Sequence, residues 1–538
     1  MIVSEASSGA GTCPCPERDV RRRWRSSAAG QFASMIGAMA GIETRMPPYE
    51  SLGRFTKPGS PEAVLDWLEG QDLTGVRAII VSADMIAYGG LIASRENGAT
   101  VDQAYARLRR LIVFKRAKAK GVRLYVFAST MRLAPTATRA AAPWRMNLAK
   151  YEEIKDRYER LRDPSLPAAL ARLRGKVPAA QIVRYEKIRA RNYEVQRRLI
   201  KLAKGPEIDY MIDGQDDAKP DGPHIQENAR LKALVASLGI ENKVFFCEGI
   251  DQHANVLMSR ALLDPGTPGN WTPRVRVVYS DELGKERFAM YESKSIEASL
   301  ADQMQASGAR LATGDEPYDY SLYLNVPKRR DETFEPFLGQ LKSDVDQGFP
   351  VAVADIDFRA DGTGDRALYD AVIENSRAMR LLSYAGWNTA GNTMGTAIPA
   401  ANVYLWARRF GTDPLAREVA QREFLLHRLV DDSEYHRYTR PEAYRMLDAL
   451  QGSRDEAYGA TYRAVDDFVR SDLTSRIEEV FTTQFKDRRF FAGTGQYEFR
   501  ALGPVRVHLP WPRAYEVRID FHLKPEPYVE GAQLSSGH

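Results

Sequence analysis

The sequence is poor in the residues that build disulfide frameworks and metal sites. Its 538 residues include 3 cysteines and 7 histidines. The cysteines Cys13, Cys15 and Cys247 are few and odd in number, which argues against a disulfide framework and favours a reducing compartment. Cys13 and Cys15 are not followed by a second Cys or His pair at zinc-ligand spacing. We therefore expect neither a disulfide-rich scaffold nor a zinc site at these cysteines.

Long apolar runs and a strong net charge are also missing. No stretch approaches the roughly 20 apolar residues that cross a bilayer, and the N-terminus lacks the order of a signal peptide. Both absences predict a cytoplasmic protein without a membrane partner. The net charge is +5, from 76 basic and 71 acidic residues, so nucleic acid is not an expected partner. A basic arm at residues 21–25 that touches RNA or lipid is the alternative.

Several motifs of well-known chemistry are absent. No Gly-x-Ser-x-Gly elbow occurs, which argues against a serine nucleophile of the α/β-hydrolase type. The sequence has neither a phosphate-binding loop with Gly-Lys-Ser/Thr nor a dinucleotide fingerprint after an apolar run. We therefore expect no nucleotide cofactor. Nothing in the sequence specifies an oligomeric state.

Eight short apolar runs, each ending in polar or small residues, are the main positive signal. They lie at 76–84, 122–130, 209–217, 243–251, 275–281, 320–327, 350–357 and 380–388. Runs without alternation are typical of strands buried on both faces of a parallel sheet. Amphipathic stretches between most of them indicate βαβ units. We predict an α/β fold of mainly parallel sheets with flanking helices, arranged as Rossmann-like units, and a β/α barrel is the alternative.

The composition divides the chain into four parts. Residues 1–30 mix Gly, Ser, Cys and Pro with a basic run, which predicts an irregular or disordered start. Residues 31–400 should form the α/β core, with a charged helical insertion at about 145–204 that could act as a lid. Residues 401–490 have a helical pattern, and residues 491–538 predict a small β element and a tail.

Polar side chains follow almost every apolar run. Ligands bind at the carboxyl ends of parallel strands, so these side chains together indicate one shared cleft. The candidate catalytic groups are Asp84, Asp216, Asp217, His224 and Asp355. The candidate substrate-binding residues are Arg95, Arg132, Gln215, Asp251, Asn388, Thr389 and Asn392. Asp and Asn also favour turns, so any one of them alone fits a structural role as well.

The segment 214–227 is the strongest single candidate. Asp216 and Asp217 are adjacent and point different ways, so only one is expected to enter the cleft. His224 and Glu227 are three residues apart, on one face of the next helix. With Asp216 they could bind a divalent metal ion or perform general acid–base chemistry. The alternative is a plain helix start, in which Glu227 is an acid favoured by the helix dipole.

Seven motifs occur in a fixed order along most of the chain. They are VSADMIAYGGLIASR, STMRLAPTAT, DGQDDAKPDGPHIQE, VVYSD, VAVADIDF, YAGWNTAGNTMGTA and LPWPRAYEV. Together, from about residue 40 to about residue 520, they resemble the bacterial family known as domain of unknown function 4127. The resemblance implies a cytoplasmic protein and no particular reaction. The sequence departs from the family in lacking its early Pro-Leu-Asp-Asp-Arg-Pro motif and in carrying Gln252 where the family tends to have Glu, which implies an altered site.

The polar strand ends favour an enzyme of hydrolase or lyase type that acts on a small polar metabolite, sugar-like or anionic. Asp216 or Asp217 would be the general base or a metal ligand, and Asp84 and Asp355 would be partner carboxylates. The arginines Arg95 and Arg132 would hold an anionic group of the substrate. The alternative is a ligand-binding or sensor protein with the same cleft and no turnover.

Overall fold

Two open sheets with helices on their faces form the α/β core. The computed structural model describes residues 1–5, 28–264, 270–359 and 362–529. The apolar runs become strands of these two sheets, and the helices between them connect mostly parallel neighbours. The predicted α/β fold with flanking helices is confirmed.

The first sheet has six strands in the order β2-β1-β3-β4-β5-β6. Its strands are β1 (Ile2–Glu5), β2 (Ile42–Arg45), β3 (Val76–Ser82), β4 (Arg123–Thr130), β5 (Tyr210–Gln215) and β6 (Val244–Glu248). Neighbours from β3 to β6 are parallel, whereas β1 is antiparallel to both β2 and β3. The carboxyl ends of β3 to β6 therefore meet at one edge of this sheet.

The second sheet has five strands in the order β11-β10-β9-β7-β8. Its strands are β7 (Arg274–Tyr279), β8 (Arg310–Leu311), β9 (Tyr320–Asn325), β10 (Val351–Asp355) and β11 (Ser383–Ala385). All its neighbouring pairs are parallel. Because each sheet ends in edge strands, the alternative of a single β/α barrel is wrong. The chain leaves β6 and begins a new sheet instead of closing the first.

Seventeen α-helices lie within the part of the chain that the structure describes. They are α1 (Ala28–Met39), α2 (Pro61–Glu69), α3 (Ala83–Tyr88), α4 (Leu91–Ser94), α5 (Val101–Lys118), α6 (Arg145–Leu161), α7 (Pro167–Arg174), α8 (Ala179–Ala203), α9 (Pro223–Leu238), α10 (His253–Leu263), α11 (Ile296–Ser307), α12 (Asp331–Asp346), α13 (Arg366–Ile373), α14 (Ala390–Phe410), α15 (Pro414–Leu429), α16 (Arg440–Ala449) and α17 (Gly459–Gln484). None of these helices is long and apolar enough to span a membrane.

A shared layer of helices joins the two sheets. One apolar cluster contains side chains of both sheets together with those of α1, α10, α11 and α14. Successive residues of a strand enter different clusters: Ile212 of β5 belongs to this central cluster, and Met211 belongs to a cluster on the outer face. Leu322 and Tyr323 of β9 divide in the same way. Both sheets are thus buried on both faces, as strands without alternation require.

The helices α6, α7 and α8 occupy the interval between β4 and β5 where the sequence predicts an insertion. Their apolar side chains, with Met131 from the loop after β4, form a small cluster of their own. Pro167 is the first residue of α7, and Pro178 directly precedes α8. Proline is well suited to both places, because the N–H groups at the start of a helix have no hydrogen-bond acceptor within the helix.

The C-terminal region is helical and ends in a small β part, as predicted. Helix α15 runs without a break into a π-helix, Val430–Thr439, and then into α16. After α17 follow β12 (Phe490–Ala492), β13 (Gly495–Leu502), β14 (Arg506–His508), β15 (Arg518–Asp520) and β16 (Leu523–Pro527). They form one three-stranded and one two-stranded antiparallel sheet.

The N-terminal stretch 1–30 requires a correction. Residues 2–5 are not irregular, because they form β1 between β2 and β3, with Ile2 and Val3 fully buried. Helix α1 begins at Ala28. Residues 6–27, which hold Cys13, Cys15 and the basic run at 21–25, lie outside the described residues.

Candidate functional site

Two adjacent carboxylates after β5 each pair with an arginine from a different strand end. Asp216 forms an ion pair with Arg95, and Asp217 forms one with Arg132. The side chains of Arg95 and Asp216 are 6% and 3% exposed, whereas those of Arg132 and Asp217 are 21% and 28% exposed. Because successive side chains of an extended chain point in opposite directions, only Asp217 faces solvent. Of the two adjacent carboxylates, Asp217 is therefore the one that can enter a cleft at the strand ends.

The loop after β6 is held by the start of α14. Asn392 Oδ1 accepts hydrogen bonds from the backbone N–H groups of Ile250 and Asp251, at 2.9 and 3.0 Å. Gly249 has a φ of +79°, and a Cβ there would lie 2.5 Å from Asn392 Oδ1. Glycine is therefore required for this close approach. The contact fixes the loop that presents Asp251.

Asp251 and Asn388 connect the two sheets at their carboxyl ends. Asn388, which follows β11, donates from Nδ2 to Asp251 Oδ2 at 3.1 Å. Asn392 Nδ2 lies 3.4 Å from the same oxygen and donates to Asn388 Oδ1 at 3.0 Å. Asp251 itself is exposed to solvent. Three residues predicted from two separate segments thus form one hydrogen-bonded group around an accessible carboxyl.

The charges around Asp251 change its acidity. Protein atoms surround the carboxyl closely enough that partial loss of hydration raises its pKa to about 6, in spite of the hydrogen bond from Asn388. Asp217 and Asp216 contribute to this rise through charge repulsion. Burial also raises the pKa of Asp217, and the Arg132 guanidinium opposes that rise. A carboxyl with a pKa near neutrality, beside a second carboxyl, has the properties of a general acid or base.

The C-terminal region contributes an aromatic wall that the sequence reasoning missed. Trp387 stacks on the ring of His436, with 3.8 Å between centroids, and Tyr515 packs edge-on to Trp387 at 5.8 Å. Tyr515 is partly exposed, and the Asp217 carboxylate is one of the charges that raise its pKa, after burial. Arg513 lies 5.1 Å from the centre of the Tyr515 ring and pairs with Glu516. Tyr515, almost 300 positions from Asp217 in the chain, thus lies near enough for the two groups to interact electrostatically.

The π-helix brings a buried ionic group to the base of this wall. Arg428 pairs with both Asp431 and Asp432, and Asp432 Oδ2 accepts a hydrogen bond from the N–H of Gly386 at 2.8 Å. His436 is fully buried, and burial lowers its pKa well below the usual range. In the sequence these residues are part of an ordinary helical pattern, and the only available signal was their density of charged and aromatic side chains.

The predicted metal-binding trio is not brought together. His224 is fully buried and its Nε2 lies 2.8 Å from the backbone oxygen of Lys219. Glu227 pairs with Arg189, and Asp216 pairs with Arg95. Among the residues described, no group of three or more His, Cys, Asp or Glu side chains is arranged to hold a metal ion. The prediction of a metal site at these three residues is wrong, because each one is used in a contact within the protein.

His224, predicted as a catalytic group, is buried within the protein. Burial lowers its pKa to about 4, and the Arg189 charge adds to this effect. The imidazole is therefore neutral near pH 7 and has no access to solvent. Gln215 is similarly buried: its Nε2 donates to the backbone oxygen of Asp216 at 2.6 Å, and its Oε1 accepts from Asn228 Nδ2 at 2.8 Å. Both side chains stabilise the loop after β5.

Asp84 and Asp355 lie in different parts of the molecule. Asp84, in the first turn of α3, is 6% exposed, and burial raises its pKa to about 7, although Ser129 and Arg95 oppose this rise. Asp355 is fully buried and accepts hydrogen bonds from Asn325 and from the backbone of Asp365. The contacts of Asp355 therefore lie within the loops of the second sheet and do not include Asp216 or Asp217.

Thr389 supports the group without an obvious chemical role. It precedes α14, is 7% exposed, and its backbone N–H donates to Asn388 Oδ1 at 2.8 Å. Its hydroxyl makes no capping hydrogen bond to the helix. Of the predicted residues, Arg132, Asp217, Asp251, Asn388, Thr389 and Asn392 therefore gather at the joined strand ends, with Arg95 and Asp216 directly behind them.

Comparison with known proteins identifies the family. Residues 27–520 match the model of the family described as Protein of unknown function (DUF4127). No curated protein and no solved structure matches the chain. The family match covers the strands β2 to β15 and all the residues of the site described above. The chain belongs to the DUF4127 family.

Proposed function

We propose that the strand-end cluster, defined as Arg132, Asp217, Asp251, Asn388, Arg513 and Tyr515, is the active site of an enzyme that hydrolyses or eliminates a bond in a small anionic, polar metabolite. The observation that supports this proposal is that two solvent-accessible carboxylates, one after β5 and one after β6, lie near enough to interact electrostatically, together with polar groups of the second sheet and the C-terminal segment. Five separate segments of the chain supply side chains to this exposed group. Packing of the fold alone does not require polar side chains from distant segments to meet at the surface.

Four residues of the cluster have a chemical role in this proposal. Asp251 transfers the proton, because its pKa of about 6 allows both protonation states near neutral pH. Asp217, paired with Arg132, is the second carboxylate and orients a water molecule or a departing group. Arg132 holds the anionic part of the substrate, because guanidinium groups bind carboxylates and phosphates in a bidentate manner. Tyr515 offers an aromatic surface for an apolar or sugar face.

A cytoplasmic location is also part of this proposal, in keeping with the small number of cysteines. The second candidate function is ligand binding without turnover. Two ion pairs support it: Asp217 with Arg132, and Arg513 with Glu516. Charged groups that are already paired within the protein are less reactive.

The test is an activity screen with purified full-length protein against phosphorylated, carboxylated and amino sugars and short acids, with mass-spectrometric detection of products. Asp251→Asn should reduce kcat/KM by about 10²-fold or more, the size expected for a general acid or base. Asp315→Asn, at an exposed site, is the matched control and should retain the rate of the parent.

The pH profile gives a second criterion. A parent kcat/KM profile with a limb near pH 6 that is absent from the residual activity of Asp251→Asn would support the proposed role of Asp251. A ligand that binds and is recovered unchanged after long incubation would instead support the binding function. Turnover that Asp251→Asn leaves intact would remove Asp251 from the mechanism.

A further inference from the structure

A separate cavity lies beneath the helical insertion. Its volume is about 150 Å³, and it is lined by residues of the segment 131–148, by residues 181–188 of α8, and by Arg95 and Glu96. Its lining residues differ from those of the strand-end cluster. The insertion therefore forms one wall of a chamber, and the loop after β4 forms another.

One wall of the chamber is apolar. Met131, Leu148 and Ile188 line it and belong to the small apolar cluster of the insertion, against which Trp144 packs. Tyr185 adds the face of its ring, since its hydroxyl is already used: it donates to the backbone oxygen of Leu133 at 2.8 Å. A ligand in contact with this wall gains from having a ring or a branched apolar body.

The other side of the chamber is polar, and both of its arginines are paired with carboxylates. Three charged residues line it: Arg95, and the ion pair of Arg184 with Glu96. The Arg95 side chain is 6% exposed, its Nη2 pairs with Asp216, and its Nη1 reaches Thr136 Oγ1 only at 3.4 Å. Among the described residues its buried Nε has no hydrogen-bond partner. The long contact at Nη1 leaves that N–H able to donate a stronger hydrogen bond, and a carboxylate in the chamber would accept it.

The position of Arg95 is fixed by helix α8. Arg191 Nη1 donates to the backbone oxygen of Glu96 at 2.7 Å, and Asn192 Nδ2 donates to that of Ser94 at 2.9 Å. The backbone on both sides of Arg95 is therefore held before any ligand arrives. Such preorganisation reduces the entropic cost of binding.

We propose that this chamber is a binding site for a small monocarboxylic acid with an aromatic or branched apolar body, whose carboxylate contacts Arg95 and whose body lies against Trp144, Tyr185 and Met131. A cavity of this size holds a molecule of roughly the size of a benzene ring. Arg95 is paired with Asp216 through Nη2, so a carboxylate would be held by hydrogen bonds from the other N–H groups of its guanidinium, and the apolar wall disfavours a bare inorganic anion. The site is independent of the function proposed for the strand-end cluster.

Titration calorimetry with the full chain tests the proposal, using benzoate, 3-methylbutanoate, benzyl alcohol and inorganic phosphate. Benzoate and 3-methylbutanoate should bind. Benzyl alcohol and phosphate should bind at least about tenfold more weakly, because one lacks the charge and the other lacks the apolar body. If neither acid binds, or if benzyl alcohol or phosphate binds as tightly as benzoate, the proposed ligand class is refuted.

A pair of neighbouring alanines gives a matched test of the location. Ala141 is buried and lines the chamber, whereas Ala142 is exposed and does not. Ala141→Met should weaken benzoate binding about tenfold or more by filling the chamber, and Ala142→Met should leave it unchanged. Equal binding by the two variants would place the ligand elsewhere. A crystal of the parent protein with 4-bromobenzoate is the measurement that needs no variant: anomalous density of bromine inside the chamber supports the site, and bromine only at other positions overturns it.

Discussion

The two adjacent aspartates after β5 should respond differently to the same substitution. Asp216→Asn removes the negative partner of Arg95, and Asp217→Asn removes that of Arg132. Asparagine keeps the shape of both side chains, and at position 216 its oxygen can still accept the hydrogen bond from the Asp217 N–H, now 2.9 Å. The main change in each variant is therefore the loss of one negative charge beside an arginine.

The expected magnitudes follow from the burial of the two pairs. Arg95 and Asp216 are 6% and 3% exposed, so Asp216→Asn leaves a buried cation uncompensated, which costs about 3–5 kcal/mol of unfolding free energy. Arg132 and Asp217 are 21% and 28% exposed, so water partly screens the charge that remains and the cost should be about 1 kcal/mol. The two variants should therefore differ by about 2–4 kcal/mol.

Urea unfolding followed by far-UV circular dichroism measures this difference. With an m-value of about 3 kcal/mol per molar urea, the midpoint of Asp216→Asn should lie about 1 M below that of Asp217→Asn. The double variant Arg95→Met/Asp216→Leu is the control, because removal of both charges should recover much of the lost stability. Equal midpoints for the two single variants, or a lower midpoint for Asp217→Asn, would falsify the assignment of Asp216 as the buried partner.

Three further predictions concern groups near the site. Asp84→Asn should stabilise the protein at pH 8 by about 2–4 kcal/mol. The folded-state pKa of Asp84, about 7, lies above the unfolded value, so the contribution of Asp84 to stability is favourable in acid and is lost as the pH rises through 7. Urea midpoints at pH 5 and pH 8 check this, and a variant that is no more stable than the parent at pH 8 contradicts it. His224→Gln should reduce the loss of stability that acidification causes between about pH 6.5 and pH 4. The folded-state pKa of His224 is lowered to about 4, so its contribution to stability is complete above pH 6.5 and is lost as the pH falls. Parallel curves of urea midpoint against pH for parent and variant would refute this prediction. Gly249→Ala should cost about 1 kcal/mol or more, since φ is +79° and the new methyl group would collide with Asn392, and an unchanged urea midpoint would show that the loop adjusts freely.

Sequence patterns were sufficient where structure depends on local chemistry. Unalternated runs such as 76–84 and 209–217 predicted buried parallel strands, because burial on both faces demands apolar residues at every position. The carboxyl-end rule placed Asp217 and Asp251 at one edge of the first sheet, since parallel strands bring their ends to one edge whatever the connections are, and Asn388 reaches them from the carboxyl end of β11 in the second sheet.

The sequence was not sufficient where the outcome depends on which distant surfaces meet. Eight apolar runs suit one barrel or two sheets equally, and the choice rests on strand pairing between residues far apart in the chain. His224 has the residue type of a catalytic group, and only its burial against Lys219 makes it structural. Asp355 follows its strand as Asp217 does, yet its hydrogen bonds lie within the loops of the second sheet.

The sequence by itself therefore determined the fold class, the helical insertion, the family and the edge of the sheets at which polar groups collect. The tertiary structure alone decided which of Asp216 and Asp217 is exposed, that Trp387 and Tyr515 stand beside them, and that Arg95 lines a chamber of its own. The physical reason is the range of the interactions. Periodicity and capping act within a few residues, whereas burial and charge pairing depend on contacts between segments hundreds of residues apart, which no local pattern records.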